Sequence, residues 1–227
     1  MSGNDPKPTG QPAGEAFLVN PRGGVKGPGV LLLHSWWGLT EDVKDLAERI
    51  ADEGYTVIAP DLLGGQQPSN IEEGEAALAS MSPDDLSGIV LSSAHALRAV
   101  ARDRSAPIGV VGLSMGGSMA LWLSARLPDS VTAVVTFYGA QSIDFDDATA
   151  AYLGHFGDAD ELVSEEDRVV TESFIRLGEN DTEFHVYEGA GHWFFEIGEH
   201  HDVEAAELAW ARTVDFLAGA LLTDATE

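Results

Sequence analysis

The sequence predicts an α/β fold in which a mostly parallel central sheet is covered by helices on both faces. The predicted strands are apolar along their whole length, which is typical of strands buried on both faces. Between them lie amphipathic stretches with apolar residues at spacings of three and four, which is typical of helices packed on a sheet. The 227 residues suffice for one such domain, and the sequence shows no internal repeat.

The first elements follow one another closely. The first core strand is expected over Gly29–His34, and the helix after it over Thr40–Asp52. Gly54 is expected to end that helix, because glycine is the commonest residue just beyond a helix carboxyl terminus. The next strand is expected over Tyr55–Ala59. The stretch 64–81 after it is expected to be irregular.

The middle of the chain continues the alternation of helix and strand. A long helix is expected from Ser82, whose hydroxyl caps its amino terminus, with Pro83 in its first turn. The following strand is expected over Ile108–Leu113, and the next helix over Met115–Arg126.

The carboxyl-terminal half shows the same pattern. Ser164 and Asp167 indicate a capping box at the start of a helix that runs through Leu177. A stretch at 141–149 is expected to be irregular and, like 64–81, too short for a large lid. The remaining predicted elements are strands at Val131–Tyr138, Tyr152–Phe156 and Glu183–Tyr187, and a last helix at Val203–Leu222. Residues 1–14, rich in Gly, Pro and polar residues, are expected to form a disordered tail before a single domain at 15–227.

The charge balance is strongly acidic. The chain has 38 Asp and Glu against 12 Lys and Arg, a formal net charge of −26, whereas small soluble domains usually carry roughly 2–8 charges. Such a field repels nucleic acid and anionic membranes, so neither is expected as a partner. A solvated acidic surface explains the charge most simply. Adaptation to high salt, as in halophilic proteins, is the alternative, and the scarcity of Lys favours it.

Other features of the composition exclude several classes of protein. The chain has no Cys, which excludes disulfides, thiolate catalysis and cysteine metal sites. Its first residues lack the pattern of a secretory signal, and no apolar run approaches the ~18 residues of a membrane span. We therefore expect a cytoplasmic protein, and the sequence does not indicate an oligomeric state.

The strongest functional signal is the segment 112–117, which reads GLSMGG between a predicted strand and a predicted helix. This is the context of a nucleophile on a sharp strand-to-helix turn. Gly112 and Gly116 remove side chains that would collide there, and the helix amino terminus directs free amides at developing negative charge. The segment therefore predicts Ser114 as a nucleophile, with an ordinary glycine-rich turn as the alternative.

A serine hydroxyl needs a base to take its proton, and in this arrangement the base follows the last strand. His192, in the segment GAGH directly after Glu183–Tyr187, has that position. His200 and His201 precede the last helix, and no complementary ligand cluster accompanies them. We therefore expect them in a solvated turn and expect no metal.

The acid that orients the histidine should lie between nucleophile and base in the chain. The segment 156–163 has that position and offers Asp158, Asp160 and Glu161. The pattern of residues alone does not choose among the three.

Five segments resemble the dienelactone hydrolase family, and the match runs from about Gly29 to the carboxyl terminus. They read HSWWG, APDLLGGQQP, GLSMGG, FGDADELV and YEGAGHWF. The resemblance implies a compact α/β-hydrolase fold without a large cap domain. It also implies that the acid is the Asp of a G-x-x-D pattern, which is Asp160 here.

Two backbone amides are expected to form the oxyanion hole, which stabilises the charge of the tetrahedral intermediate. The first is the N–H of Met115, which follows the nucleophile at the start of a helix. By the resemblance, the second is the N–H of Trp36, in the loop after the first core strand. Five neighbouring side chains are predicted to line the substrate pocket, with core packing as the alternative for the aromatic ones. These are Ser35, Trp37, Tyr138, Trp193 and Phe194.

The chain departs from the best-known members of that family at the residues that select substrate. Those members use Cys as the nucleophile, where this chain has Ser114, and carry a Glu at the position of Ser35. They bind a substrate carboxylate with Arg residues, yet the segments 64–67 and 192–196 contain no Arg here. We therefore expect a neutral, apolar or aromatic ester instead of an anionic dienelactone.

These patterns together predict a serine-dependent hydrolase that cleaves carboxylic esters or lactones through an acyl-enzyme and needs no cofactor. The alternatives on the same three residues are a cofactor-free haloperoxidase or perhydrolase and a thioesterase. A non-catalytic binding protein on the same fold is the alternative from another class, and the complete Ser, Asp and His set argues against it.

Overall fold

The computed structural model describes residues 15–222, and the predicted tail at 1–14 lies outside this range. The strands are β1 (Ala16–Val19), β2 (Gly29–Leu33), β3 (Thr56–Pro60), β4 (Ile108–Leu113), β5 (Val131–Phe137), β6 (Ala151–Gly157) and β7 (Thr182–Tyr187). The helices are α1 (Glu41–Asp52), α2 (Ile71–Ser80), α3 (Pro83–Val100), α4 (Met115–Arg126), α5 (Glu165–Leu177) and α6 (Val203–Leu221).

All seven strands form one sheet, in the order β1-β3-β2-β4-β5-β6-β7. The six strands from β2 to β7 are parallel, and β1 pairs antiparallel with β3 at one edge. This confirms the mostly parallel sheet. Because the carboxyl ends of parallel strands lie at one edge of the sheet, the loops after β2, β4, β6 and β7 meet there.

Two apolar cores lie on the two faces of the sheet, as predicted. Successive side chains of β2 point to opposite faces, so Val30 and Leu32 join one core and Leu31 and Leu33 join the other. The first core contains residues of α1 and α6, and the second contains residues of α3, α4 and α5. All four of these β2 side chains are fully buried, which explains the unbroken apolar run in the sequence.

The prediction that 64–81 is irregular is wrong over more than half of this stretch, where α2 spans Ile71–Ser80. Only Gly74 and Ala77 are buried in this helix, so its sequence lacks a periodic apolar stripe. The side chain of Asn70 caps the helix by accepting a hydrogen bond of 3.0 Å from the Glu73 N–H. That capping residue was the available signal.

The edge strand β1 was not predicted, because its four residues alternate between exposed and partly buried positions and form too short a pattern. The stretch 141–149 is irregular, as expected. Among the helices of the described range, none is long and apolar enough to cross a membrane.

Candidate active site

Ser114 lies at a sharp turn between β4 and α4, with φ 53° and ψ −114°. A side chain at Gly112 would overlap the carbonyl group of Gly116, and one at Gly116 would overlap the carbonyl group of Leu33. The two glycines therefore allow the turn to pack against its neighbours. The positive φ of a serine costs on the order of 1–3 kcal/mol, which the surrounding structure must offset.

His192 lies between Ser114 and Asp160 and bonds both side chains. Its Nε2 is 2.8 Å from Ser114 Oγ, and its Nδ1 is 2.7 Å from Asp160 Oδ2. A carboxylate only accepts hydrogen bonds, so Nδ1 carries the proton and Nε2 presents its lone pair to the serine hydroxyl. The histidine and aspartate side chains are 4% and 2% exposed, which keeps water from competing for these bonds.

The structure distinguishes the three acids that follow β6. Asp160 contacts His192, and its other oxygen accepts hydrogen bonds of 2.8 and 2.9 Å from the N–H groups of Leu162 and Val163. Asp158 instead accepts a 2.6 Å bond from the Gly189 N–H, which ties the loop after β6 to the loop that carries the histidine. Glu161 is exposed.

The amides of Met115 and Trp36 lie at the amino terminus of α4 and in the loop after β2. Within residues 15–222, neither N–H donates a hydrogen bond to a protein group. Both donors are therefore free to bind an oxygen of a substrate. We call residues 35–37, which follow β2 and include the predicted oxyanion donor Trp36, the oxyanion loop.

His34 anchors the oxyanion loop from the core of the protein. Its Nδ1 is 2.6 Å from the Ser35 carbonyl oxygen, and its Nε2 accepts a 2.9 Å bond from the Leu62 N–H. The proton must therefore lie on Nδ1. Burial lowers the pKa of His34 to about 4, so the ring is neutral at physiological pH and this pattern persists.

The predicted aromatic residues divide into two groups. The rings of Trp36, Trp37 and Trp193 form a cluster with centroids 5.2–5.8 Å apart, and Trp193 also packs edge-on against His192 at 4.7 Å. Phe194 is fully buried and packs against Tyr138 at 5.5 Å. Phe194 thus lies in the core of the structure.

A cavity of about 1070 Å³ opens beside this cluster, and Trp37, Trp193 and Leu113 form part of its wall. Acidic side chains outnumber basic ones around it. Arg49 also lines the cavity and stacks on the Trp210 ring at 4.2 Å. The acidic residues are Asp42, Asp45, Glu72, Glu196, Glu199 and Glu207, and the histidines are His200 and His201.

Sequence reasoning missed Glu196 as a member of the site and noted only that the segment after His192 lacks Arg. Its Oε1 accepts a 2.6 Å hydrogen bond from the Ser35 hydroxyl, and its Oε2 accepts a 2.7 Å bond from the Tyr138 hydroxyl. Burial raises the pKa of Glu196 to about 7. A carboxyl group is therefore present beside Ser35 after all, supplied by a different loop.

No group of three or more His, Asp or Glu side chains that could hold a metal ion occurs in the part of the chain that the structure describes. His200 packs its ring against Trp193 at 5.3 Å. Its neighbour His201 lies in the same turn before α6.

The parallel sheet, with the candidate residues Ser114, His192 and Asp160 in the loops at the carboxyl ends of its strands, has the arrangement of the α/β-hydrolase fold. A model of the dienelactone hydrolase family matches residues 15–221. The chain therefore belongs to the dienelactone hydrolase family.

Individual proteins are similar to this chain over most of its length. A carboxymethylenebutenolidase from Rhodococcus opacus is 29% identical over 210 residues, covering 84% of this chain and 80% of that protein. Protein usf of Aquifex pyrophilus is 28% identical over 211 residues, covering 88% and 90%. The structure of a dienelactone hydrolase-like promiscuous phosphotriesterase from metagenomic libraries has a TM-score of 0.81 at 22% identity, covering 91% and 92%, and shows the shared fold.

Proposed function

We propose that this protein is a serine hydrolase that cleaves neutral carboxylic esters or lactones through an acyl-enzyme on Ser114. The observation that carries the proposal is the continuous hydrogen-bonded chain from Ser114 through His192 to Asp160, with distances of 2.8 and 2.7 Å. These contacts are within the range required for proton transfer between a nucleophile and its base.

In the acylation step, Ser114 Oγ attacks the ester carbonyl carbon while His192 Nε2 takes the hydroxyl proton. The N–H groups of Met115 and Trp36 bind the oxyanion of the tetrahedral intermediate. The intermediate then collapses, the carbon–oxygen bond to the alcohol breaks, and the histidine gives its proton to the leaving oxygen. Asp160 holds the required tautomer and stabilises the imidazolium cation.

In the deacylation step, a water molecule replaces the alcohol. His192 takes a proton from this water, and the resulting hydroxide attacks the acyl carbon. When the second intermediate collapses, the acid leaves and the proton returns to Ser114 Oγ. The sum is an ester plus water giving an acid plus an alcohol, without a cofactor.

The neighbouring cavity, whose wall includes Trp37 and Trp193 but neither Ser114 nor His192, is acidic, and this charge supports a neutral substrate. Several carboxylates line the cavity beside Trp193, and Arg49 there is already stacked on Trp210. An anionic group in this cavity would be repelled, because like charges in a partly desolvated space destabilise each other. An aromatic wall of indole rings favours apolar groups.

The test is ester hydrolysis by Ser114→Ala beside a matched control. We expect this variant to lose at least about 10⁴-fold in kcat for 4-nitrophenyl butanoate, since the members of a triad act as a unit. Ser92→Ala, which changes an exposed serine on α3, should retain full activity. A 4-nitrophenyl ester carrying a carboxylate should react at least about tenfold less efficiently than the neutral ester with the unmodified protein.

Labelling by a fluorophosphonate probe provides an independent readout. The probe should modify the folded protein at Ser114 and leave the Ser114→Ala variant unlabelled. Retained hydrolysis in that variant would refute the assignment. A folded protein that neither reacts with the probe nor turns over any ester would instead be a binding protein without catalysis.

A further inference from the structure

Glu196 takes no part in the acyl transfer proposed above, yet it bonds two groups that border the reacting atoms. We propose that Glu196 is a positioning residue that fixes the oxyanion loop and Tyr138 in relation to His192. The inference rests on the proposed function, since it concerns the same site.

The first connection runs from Glu196 to the oxyanion loop. The Ser35 hydroxyl donates to Glu196 Oε1 at 2.6 Å and accepts a longer bond of 3.4 Å from the Trp37 N–H. Ser35 is fully buried, so water does not replace these partners. With His34 bound to its carbonyl oxygen, Ser35 is held at both its side chain and its backbone. The peptide group between Ser35 and Trp36, which carries the free N–H, is thereby fixed in direction.

The second connection runs from Glu196 to the triad histidine through Tyr138. The Tyr138 hydroxyl donates to Glu196 Oε2 at 2.7 Å, and the tyrosine ring packs against the His192 ring at 4.7 Å. Tyr138 has a positive φ of 44°, and its N–H donates a 2.7 Å bond to the His155 carbonyl oxygen. Backbone and hydroxyl contacts together hold this ring beside the base.

The local charges argue against a role in stability alone. No Lys or Arg of the described residues forms an ion pair with Glu196, and Asp42 lies close enough to repel it. Its two partners are neutral hydroxyl groups. Burying a carboxyl group without a cation destabilises the folded state, and an apolar side chain of similar size would avoid that cost.

The course of the chain explains how Glu196 reaches this place. Trp193, directly after the triad histidine, has a positive φ of 62°, and the Glu196 N–H bonds the Trp193 carbonyl oxygen at 3.0 Å. This turn brings the glutamate back toward the oxyanion loop. The residue that supplies the base and the residue that holds the oxyanion loop thus belong to one short segment.

The first experiment compares Glu196→Leu, Glu196→Gln and the control Glu204→Gln in ester hydrolysis. Leu keeps most of the volume but makes neither hydrogen bond, and we expect kcat to fall about 10- to 100-fold with KM within about threefold, because misplacing catalytic groups lowers kcat. Gln can accept from Ser35 and donate to the Tyr138 oxygen, so it should restore activity to within about fivefold of the unmodified protein. Glu204 is exposed at the start of α6, and its variant should be unchanged.

A double-mutant cycle tests whether Glu196 acts through Ser35. If it does, Glu196→Leu combined with Ser35→Ala should lose little more than Glu196→Leu alone, because the two changes remove one shared bond. Losses from the two changes that multiply independently would overturn the proposal. A rise in KM with kcat unchanged would overturn it as well.

Hydrogen exchange of the peptide that contains residues 34–38 gives a readout that does not depend on activity. Glu196→Leu should accelerate exchange in this peptide by about tenfold or more, whereas Glu196→Gln and Glu204→Gln should not. If Glu196→Leu does not fold, Ser35→Ala makes the same test from the other end of the bond. Unchanged exchange in Glu196→Leu would overturn the positioning role. If exchange changes but the unmodified protein hydrolyses no ester, only the proposed function fails.

Discussion

Ser35 and Glu196 show how two residues with other chemistry can replace a pair that the family resemblance implies. In the best-known members of the family, a Glu stands at the position of Ser35, and an Arg that binds the substrate carboxylate follows the triad histidine. Here a serine and a glutamate meet at 2.6 Å instead. The site therefore keeps a carboxyl group beside the oxyanion loop but loses a cation, which is the charge that an anionic substrate would need.

The pKa of Glu196 leads to a prediction about stability. Burial raises this pKa from 4.5 to about 7, so the folded state binds more protons than the unfolded state between these values. The contribution of this group to stability is therefore full below pH 4.5 and is lost as pH rises through 7, at a cost of roughly 3 kcal/mol. Glu196→Gln has no such titration. Its free energy of unfolding in urea, relative to the unmodified protein, should thus rise by about 2–3 kcal/mol from pH 4.5 to 8.

A difference that stays constant across this pH range would contradict the prediction. Glu204→Gln serves as the control, because Glu204 is exposed and its variant should follow the unmodified protein at every pH.

The residues of the site were predictable to different degrees. Ser114 and His192 follow from local patterns, since each lies in a short motif directly after a strand. Asp160 needed the family resemblance, because two other acids lie within three residues of it. Glu196 could not be predicted, since its partners Ser35 and Tyr138 are 161 and 58 positions away in the chain. Such contacts depend on the packing of loops and leave no periodic signal.

Most of the secondary-structure elements were predictable from apolar patterns in the sequence, and two were not. The core strands and the helices α1, α4, α5 and α6 begin and end within a few residues of their predicted bounds, and α3 begins where predicted. The two missed elements, β1 and α2, bury few side chains. The strand β1 pairs with β3, and Gly74 of α2 packs against the Trp36 side chain. Both elements therefore depend on tertiary contacts.

The helix α5 provides a test of the capping box. Ser164 caps it by accepting a 3.2 Å bond from the Asp167 N–H, and the Asp167 carboxylate accepts from the Ser164 N–H at 3.0 Å. We expect Ser164→Ala to lower the free energy of unfolding by about 1 kcal/mol. Ser173→Ala, an exposed serine within the same helix, should change it by less than about 0.5 kcal/mol. Equal effects of both variants in urea denaturation would contradict a capping role.

At the scale of the whole molecule, the net charge of −26 opposes folding through self-repulsion. We propose that this acidic surface is adapted to high salt, where the screening length falls to about 3 Å at 1 M. The ion pairs do little to reduce the repulsion, since pairs such as Arg22 with Asp52 and Lys44 with Glu41 lie largely at the surface.

A thermal melt in low salt and in molar KCl tests this proposal. We expect the melting temperature to rise by several degrees in KCl, because screening removes repulsion that exists mainly in the compact state. A comparison in molar sucrose controls for general solute effects, which do not depend on charge. Equal melting temperatures at low and high KCl would reject the adaptation to salt.

The backbone around the triad has a consequence for engineering. Of the four described residues other than glycine with positive φ, three are Ser114, Tyr138 and Trp193, and all three contact His192. Among the described residues, conformational strain is thus concentrated around one side chain, that of the proposed base. Substitutions that relax these backbones would raise the melting temperature while removing the geometry that presents the proposed nucleophile and its proposed base. A more heat-resistant catalyst should therefore be sought in surface loops and helix caps, away from this ring of strained residues.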